Sequence, residues 1–260
     1  MINVELKGGA VKEFENGTTP AEIAKSIGAG LYKSVCCAKV DGDLCDLRTP
    51  LEKDCKVELL TFDNVDGQKT FWHTASHVLA QAVKRLYPNA KCAIGPAVDN
   101  GFYYDFDVEK PFSPEVLEKI KAEMKKIVKS GLELERVELS PEEAEKKLEE
   151  MNEPYKVELV KEHSDKGEHI TFYKQGEFID LCAGPHLMSV APIKAIELTA
   201  CTGAYWRGDA NNAQLCRVYG VAFPKASMLE EHLKKLEEAK LRDHNKLGRE
   251  LEYFTTVDYV

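Results

Sequence analysis

Two short clusters hold the side chains best suited to chemistry. His73-Thr74-Ala75-Ser76-His77 places two imidazoles four residues apart, and on a helix that spacing sets them on one face, one turn from each other. Such a pair suits a shared metal, a water or a substrate atom; two ordinary helix histidines have the same spacing. Cys182-Ala183-Gly184-Pro185-His186 follows an alternating run that puts Phe178, Asp180 and Cys182 on one face of a strand and Ile179 and Leu181 on the other. A carboxylate on that face needs a partner if it is buried. His73, His77, Cys182 and His186 together form a ligand set that zinc accepts, thiolate and imidazole in fourfold coordination. The two pairs lie about 100 residues apart and neither is a Cys-x2-Cys knuckle, so a metal-free cluster acting on water is equally open. A third reading makes Cys182 a nucleophile, its thiol activated by neighbouring imidazole or lysine.

Other segments carry less. Ala93-Ile94-Gly95-Pro96 and Asn100-Gly101-Phe102-Tyr103-Tyr104 are turn-forming and aromatic, fit to approach a ligand with backbone groups and stack a base, or to serve as plain turn and core. Tyr205-Trp206-Arg207-Gly208-Asp209 is either a nucleotide clamp or a capped strand end. His163, His169, His232 and His244 read as surface or core residues. There is no Walker loop, no Gly-x-Gly-x-x-Gly and no Gly-x-Ser-x-Gly elbow.

The elements that must position these residues divide the chain in three. Residues 1–62 read as a small β-grasp unit: strands at Ile2–Leu6 and Val11–Phe14, a helix opened by the capping box Thr19-Pro20-Ala21-Glu22 and stopped at Gly28, a hairpin from Val35 to Leu47 around Asp41-Gly42, and a closing strand at Val57–Phe62. Polar residues 63–69 read as a linker. Residues 63–226 form a larger α+β unit with mainly antiparallel strands. Its expected helices run from Phe71 to Tyr87, from Pro114 to Ser130 and from Pro141 onward; its expected strands lie at Gly101–Phe106, Lys156–Val160, and in a hairpin, His169–Tyr173 with Glu177–Leu181. Residues 227–260 read as a connector helix from a Ser227 capping box toward Gly248, then the opening strand, from Leu251 to Val260, of a further unit.

Composition narrows the classes. The 260 residues are 43% hydrophobic and 30% charged, with no apolar run approaching the ~20 residues of a membrane-spanning helix. Met1 opens without the basic start or apolar middle of a secretory signal, so the expected compartment is the cytoplasm. Eight cysteines without framework spacing read as reduced thiols. A net charge of -9 argues against non-specific nucleic-acid binding by the chain as a whole, but not against a local basic footprint.

His73-x3-His77, Ala93-Ile94-Gly95-Pro96, Asp99-Asn100-Gly101-Phe102-Tyr103-Tyr104, Asp180-Leu181-Cys182-x-Gly184-Pro185-His186 and Gly203 to Asp209, in that order, closely resemble the amino-terminal half of the bacterial threonyl-tRNA synthetases, and Arg242-Asp243-His244 fits the same family. The resemblance implies a TGS domain over residues 1–62, an editing domain over 63–226 and, from 227, a helix leading to a class II catalytic domain absent from this sequence. That catalytic part would activate threonine with ATP and magnesium, hold the family's catalytic zinc and form a homodimer, leaving this portion a monomer that needs no cofactor. The editing domain would hydrolyse serine wrongly attached to threonine tRNA. His73 and Lys156 would position and activate water; His77, Cys182 and His186 would line the cleft; Asp180 would pair with the aminoacyl ammonium; Tyr104 and the Gly95 backbone would hold the terminal adenosine. The same four His and Cys residues would bind zinc if any is held. Ala183 stands where the family commonly has arginine, so a contact to RNA phosphate or a carboxylate is missing here. Two other function classes remain: a TGS-type RNA-binding or regulatory module, and a free-standing zinc-dependent ester hydrolase.

Overall fold

The computed structural model describes residues 1–241. The far end of the connector helix, Arg242-Asp243-His244 and the strand expected at Leu251–Val260 lie outside the described residues.

Ile2 and Val4 face inward and Asn3 and Glu5 face water, as a half-buried strand requires. This strand, β1 (Ile2–Leu6), pairs antiparallel with β2 (Val11–Phe14) and parallel with β5 (Cys55–Thr61). A parallel neighbour demands a crossover, which holds α1 (Pro20–Ile27) and a short α2 (Ala29–Ser34) that the sequence reading lacked. In the capping box of α1 the Thr19 hydroxyl accepts from the Glu22 N–H and the Glu22 carboxylate from the Thr19 N–H, and the helix buries Ile23 and Ala24 against the sheet. β3 (Val35–Val40) turns through Asp41-Gly42, both at positive φ, into β4 (Asp43–Cys45). The order β2-β1-β5-β3-β4 is the expected β-grasp arrangement.

The polar segment after it is not a linker. α3 runs from Val65 to Leu86, roughly 33 Å, with Asn64 as its N-cap. Gly67, a linker signal in the sequence, is a packing residue: a Cβ there would lie 2.0 Å from the Thr61 carbonyl oxygen. α3 is buried along most of its length, with Phe71, Val78, Leu79 and Val83 in the main core and polar Thr70, Thr74, His77 and Gln81 also inside.

Around α3 sit two further sheets. The larger has the order β12-β13-β8-β6, built from β6 (Lys91–Cys92), β8 (Gly101–Asp107), β12 (Ala195–Tyr205) and β13 (Gln214–Phe223), with β7 (Ala97–Val98) added on β8; all pair antiparallel. α4 (Pro114–Ser130) packs Ile120, Met124 and Ile127 into the same core and ends at left-handed Gly131. The smaller sheet is β11-β10-β9: β9 (Leu134–Glu138), β10 (Thr171–Gln175) and β11 (Phe178–Leu181). α5 (Pro141–Glu150) and α6 (Pro154–Asp165) connect β9 to β10.

Two expectations need correction. Lys156–Val160 is not a strand but part of α6, with Pro154 at the first helical position. The apolar residues of Lys-Val-Glu-Leu-Val fit either period, and the helix wins because its spacing of four turns Lys156 and Val160 inward together. α7 (Ala226–Leu241) starts before Ser227, so that serine lies inside the first turn rather than capping it. Near its start Met228 and Leu229 pack on the main core and the His232 ring lies 5.2 Å from that of Phe223, while Leu236 stays exposed.

Candidate hydrolytic site

α3 and the β10–β11 hairpin bring the two clusters together. His73 and His77 stand one turn apart on α3 with perpendicular rings 5.4 Å apart, and the His186 ring sits 4.2 Å from each. The hairpin turns through Gly176 and Glu177, and the strand direction continues past β11: the Cys182 N–H donates to the Thr171 carbonyl, and the Thr171 hydroxyl donates to the Cys182 carbonyl. This aims the Cys182 Sγ between His73 Nε2 at 3.1 Å and His186 Nε2 at 3.2 Å. The Gly184 N–H donates to the same sulfur.

Hydrogen-bond counting fixes the His186 tautomer. The one hydrogen of the Thr74 hydroxyl goes to the Thr70 carbonyl, while its oxygen accepts from the Leu187 N–H. The His186 Nδ1, 3.2 Å away, is therefore the donor to that oxygen, and its Nε2 lone pair faces the thiol. Burial holds this imidazole well below the usual histidine range, with the His73, His77 and Arg48 charges pushing the same way. Burial also pulls His73 down to about 4, with the Lys156 cation assisting and Asp180 and a hydrogen bond with the Pro185 backbone opposing. Both rings are neutral at pH 7.

Asp180 lies on the Cys182 face, as alternation requires, and it does have a partner. Its Oδ1 is 2.8 Å from the Lys156 Nζ on α6, its Oδ2 accepts from the Tyr104 hydroxyl at 2.6 Å, and the His77 Nε2 is 3.6 Å away. Burial alone would raise this carboxylate, but Lys156, His77 and the two hydrogen bonds hold it below its ordinary value. Burial likewise works against the Lys156 ammonium, and Asp180 outweighs it and raises the pKa. Both groups are charged although each is only 4% exposed.

These groups form one wall of a cavity of about 370 Å³ whose lining includes His73, His77, Lys156, Asp180, Cys182 and Gly95. Tyr104 stands behind the wall, fully buried, with its hydroxyl on Asp180 and its ring under the Lys156 ammonium. Gly95 makes that packing possible, since a Cβ there would lie 2.1 Å from the Tyr104 ring; its carbonyl accepts from the Ser76 hydroxyl. The Trp206-Arg207 segment is not a free clamp. The Trp206 indole donates to Glu158, and Arg207 pairs with Glu158 and Glu162, fastening the outer face of α6. Tyr103 is covered by Arg217, which forms a bidentate pair with Asp105. His163 and His169, read as ordinary residues, line the cavity. Sequence reasoning also missed Thr74 and Tyr173, the latter edge-on to His186 at 4.4 Å; a threonine in a helix and a tyrosine in a strand carry no signal of their own.

The donor set also fits a metal. One ligand atom from each of His73, His77, Cys182 and His186 lies within 4.8 Å of every other, and the buried His77 Nδ1 has no hydrogen-bond partner.

The TGS domain family matches residues 2–61, and the family described as threonyl and alanyl tRNA synthetase second additional domain matches residues 170–219. A threonine–tRNA ligase of Clostridium tetani is 58% identical over 255 residues, covering 98% of this chain and 40% of that protein. The chain belongs to the threonine–tRNA ligase family. Family members from Acetivibrio thermocellus and Clostridium acetobutylicum are 57% and 55% identical, over 98% of this chain and 40% of their own length in both cases. The chain thus spans about two-fifths of the curated relatives it matches. Asp180, Cys182 and His186 fall inside the second-additional-domain match, whereas His73, His77 and Lys156 come from helices outside both matched stretches. Among the described residues no helix is long and apolar enough to cross a membrane.

Proposed function

We propose that this site hydrolyses the ester joining serine to the end of threonine tRNA, the editing step of a larger enzyme that joins threonine to that tRNA with ATP. The observation that carries the reading is a neutral His73 beside the charged Lys156–Asp180 pair on one wall of a cavity about 370 Å³ in volume. A neutral imidazole accepts a proton from water. The water oxygen bonds to the ester carbonyl carbon, His73 takes the proton, the carbon–oxygen bond to the terminal ribose breaks, and the proton passes to the ribose oxygen, giving serine and free tRNA. Lys156, held as the cation, is not a base in this state; it orients water and stabilises charge on the carbonyl oxygen. Two of its hydrogens are used by the Asp180 carboxylate and the Leu181 carbonyl, leaving a third for substrate. Asp180, with acceptor capacity beyond Lys156 and Tyr104, receives the serine ammonium. Tyr104 serves by holding Asp180, and the Gly95 segment lies where the terminal nucleoside would enter.

A second sieve suits this substrate. Serine differs from threonine by one methyl group, worth about 1–3 kcal/mol in a binding pocket, so a synthetic site separates the two only 10- to 200-fold. A cavity sized for seryl and too tight for threonyl removes the error. Residues 1–62 act as the TGS unit, 63–226 as the editing unit, and the chain from 227 leads to the missing catalytic part, which supplies the sites for ATP, magnesium and zinc and the dimer interface; this portion is a cytoplasmic monomer whose partner is the tRNA acceptor end.

The tetrad's fit to a metal keeps a zinc hydrolase as the second reading. His73, His77, Cys182 and His186 would hold the ion, which when bound would supply a Lewis acid and a more acidic water. Single-turnover hydrolysis of seryl- and threonyl-tRNA, with and without a chelator, separates the two. Serine-selective, chelator-insensitive release is the expected result. Loss of activity on chelation, restored by zinc, would install the zinc reading, and indifference to the amino acid would remove the editing role.

A further inference from the structure

We infer that Asp46, in the β-grasp unit, is a positioning residue for the editing site, holding the backbone of His186 in place. This rests on the proposed hydrolysis and extends it to a domain with no side chain in the cavity. Asp46 follows β4 and is 7% exposed. Its Oδ2 accepts from the His186 N–H at 3.1 Å and from the Tyr173 hydroxyl at 2.9 Å, across 140 and 127 residues of sequence. Its Oδ1 accepts from the Arg48 N–H and guanidinium. Arg48 then completes the grip, donating to the carbonyls of Leu134 at 3.0 Å, Leu187 at 2.7 Å and His186 at 3.4 Å. Both backbone polar groups of His186 are therefore bonded to the first unit, its N–H to Asp46 and its carbonyl to Arg48.

The consequence for the site is geometric. His186 is fully buried, its Nδ1 is fixed by Thr74 and its Nε2 meets the Cys182 thiol. Tyr173, whose hydroxyl Asp46 anchors, lies against the His186 ring and 2.3 Å from where a Gly184 Cβ would be, so it also bounds the loop between Cys182 and His186. Displacement of a catalytic group by about 1 Å can cost up to 100-fold in rate. Loss of Asp46 leaves four donors, the His186 N–H, the Tyr173 hydroxyl and the Arg48 N–H and guanidinium, without their acceptor in a buried junction, and the loop shifts to satisfy them.

Asp46→Ala in the full chain tests this by two readouts. Amide hydrogen exchange over residues 182–188 is expected to accelerate at least 10-fold while α1 and the core of α3 keep their protection. Single-turnover hydrolysis of seryl-tRNA is expected to slow roughly 10-fold with half-saturation changed less than 2-fold, and Asp46→Ala is expected to add nothing to His186→Ala. Unchanged exchange over 182–188 overturns the inference, as does an unchanged rate, or a loss that multiplies with that of His186→Ala. If the parent chain leaves seryl-tRNA intact, the hydrolytic reading falls and exchange alone decides: a rise confined to 182–188 supports the anchor, an unaltered pattern removes it. Should Asp46→Ala unfold the β-grasp unit, seen as lost protection in α1, Tyr173→Phe takes its place; it deletes one bond to Asp46 from the other side of the junction, and its exchange over 182–188 must rise.

Discussion

His73 stands between two demands, for a base must be neutral to accept a proton and near enough to water to use it. Half-buried on α3, it meets both. With the imidazole at about 4 in the folded chain against ~6.5 unfolded, metal-free protein should hydrolyse seryl-tRNA at a rate that is flat around pH 7 and falls as acid approaches that value. His73→Ala should be about 100-fold slower and lose this acid limb. The sign for stability follows: between pH ~6.5 and ~4 the unfolded chain binds more protons, so the contribution of this ring, complete above pH ~6.5, drains away on acidification and is gone below ~4. Urea titrations at pH 7 and 5, with His73→Gln flattening the difference, check it. Lys156 presents the opposite problem. Removing it leaves the Asp180 carboxylate buried beside a tyrosine and an imidazole, so Lys156→Met should destabilise by about 3–5 kcal/mol, and adding Asp180→Asn should recover most of that stability without recovering hydrolysis. Equal stability of Lys156→Met and the parent in urea would refute the charged-pair description.

At the scale of elements, what was legible depended on whether the signal was local. The α1 capping box, the Asp41-Gly42 hairpin, the α4 stripe and the alternation that set Asp180 beside Cys182 all act over a few residues, and each stands in the structure as its pattern reads. The start of α3 and the helical state of Lys156–Val160 were not legible, because tertiary contacts decide them: the close approach of Gly67 to Thr61 and the inward turn of Lys156 onto Asp180. The long β12–β13 ribbon also went unread, since the turn residues Gly208-Asp209 and Asn211-Asn212 lie within a connection, residues 206–213, too long for the two-residue hairpin spacing. Gly95 joins both kinds. Its turn propensity is local, while its need for a bare Cα comes from a ring on β8. Gly95→Ala must push the Tyr104 ring aside, which should cost about 1–3 kcal/mol and, by shifting the hydroxyl on Asp180, slow seryl-tRNA hydrolysis as well. Thermal unfolding of the variant together with its rate checks both, and an alanine accepted without loss of either would show that the ring is free to move.

At the scale of the whole molecule, two cores would ordinarily unfold in two steps, and the contacts between them argue otherwise. Phe62, at the end of the β-grasp segment, meets Phe71 and Trp72 of α3 and Phe223 of β13 edge-on, and Cys36 of β3 belongs to the main core rather than to its own. Met188 packs in the reverse direction, from the second unit onto the β-grasp core. Lys39 pairs with Asp66 at the start of α3, and Arg48 ties three carbonyls of the second unit. A 60-residue unit is close to the lower limit for a core that stands alone, so the shared surface contributes a large part of its stability. The full chain should therefore melt in a single transition with equal calorimetric and van't Hoff enthalpies. Arg48→Ala, which strands three carbonyls and frees Asp46 from its charge partner, should lower the midpoint and separate the β-grasp unit as an earlier, smaller transition. Two resolved transitions in the parent chain would mean that the units meet without depending on each other, and that the β-grasp core alone supports its fold.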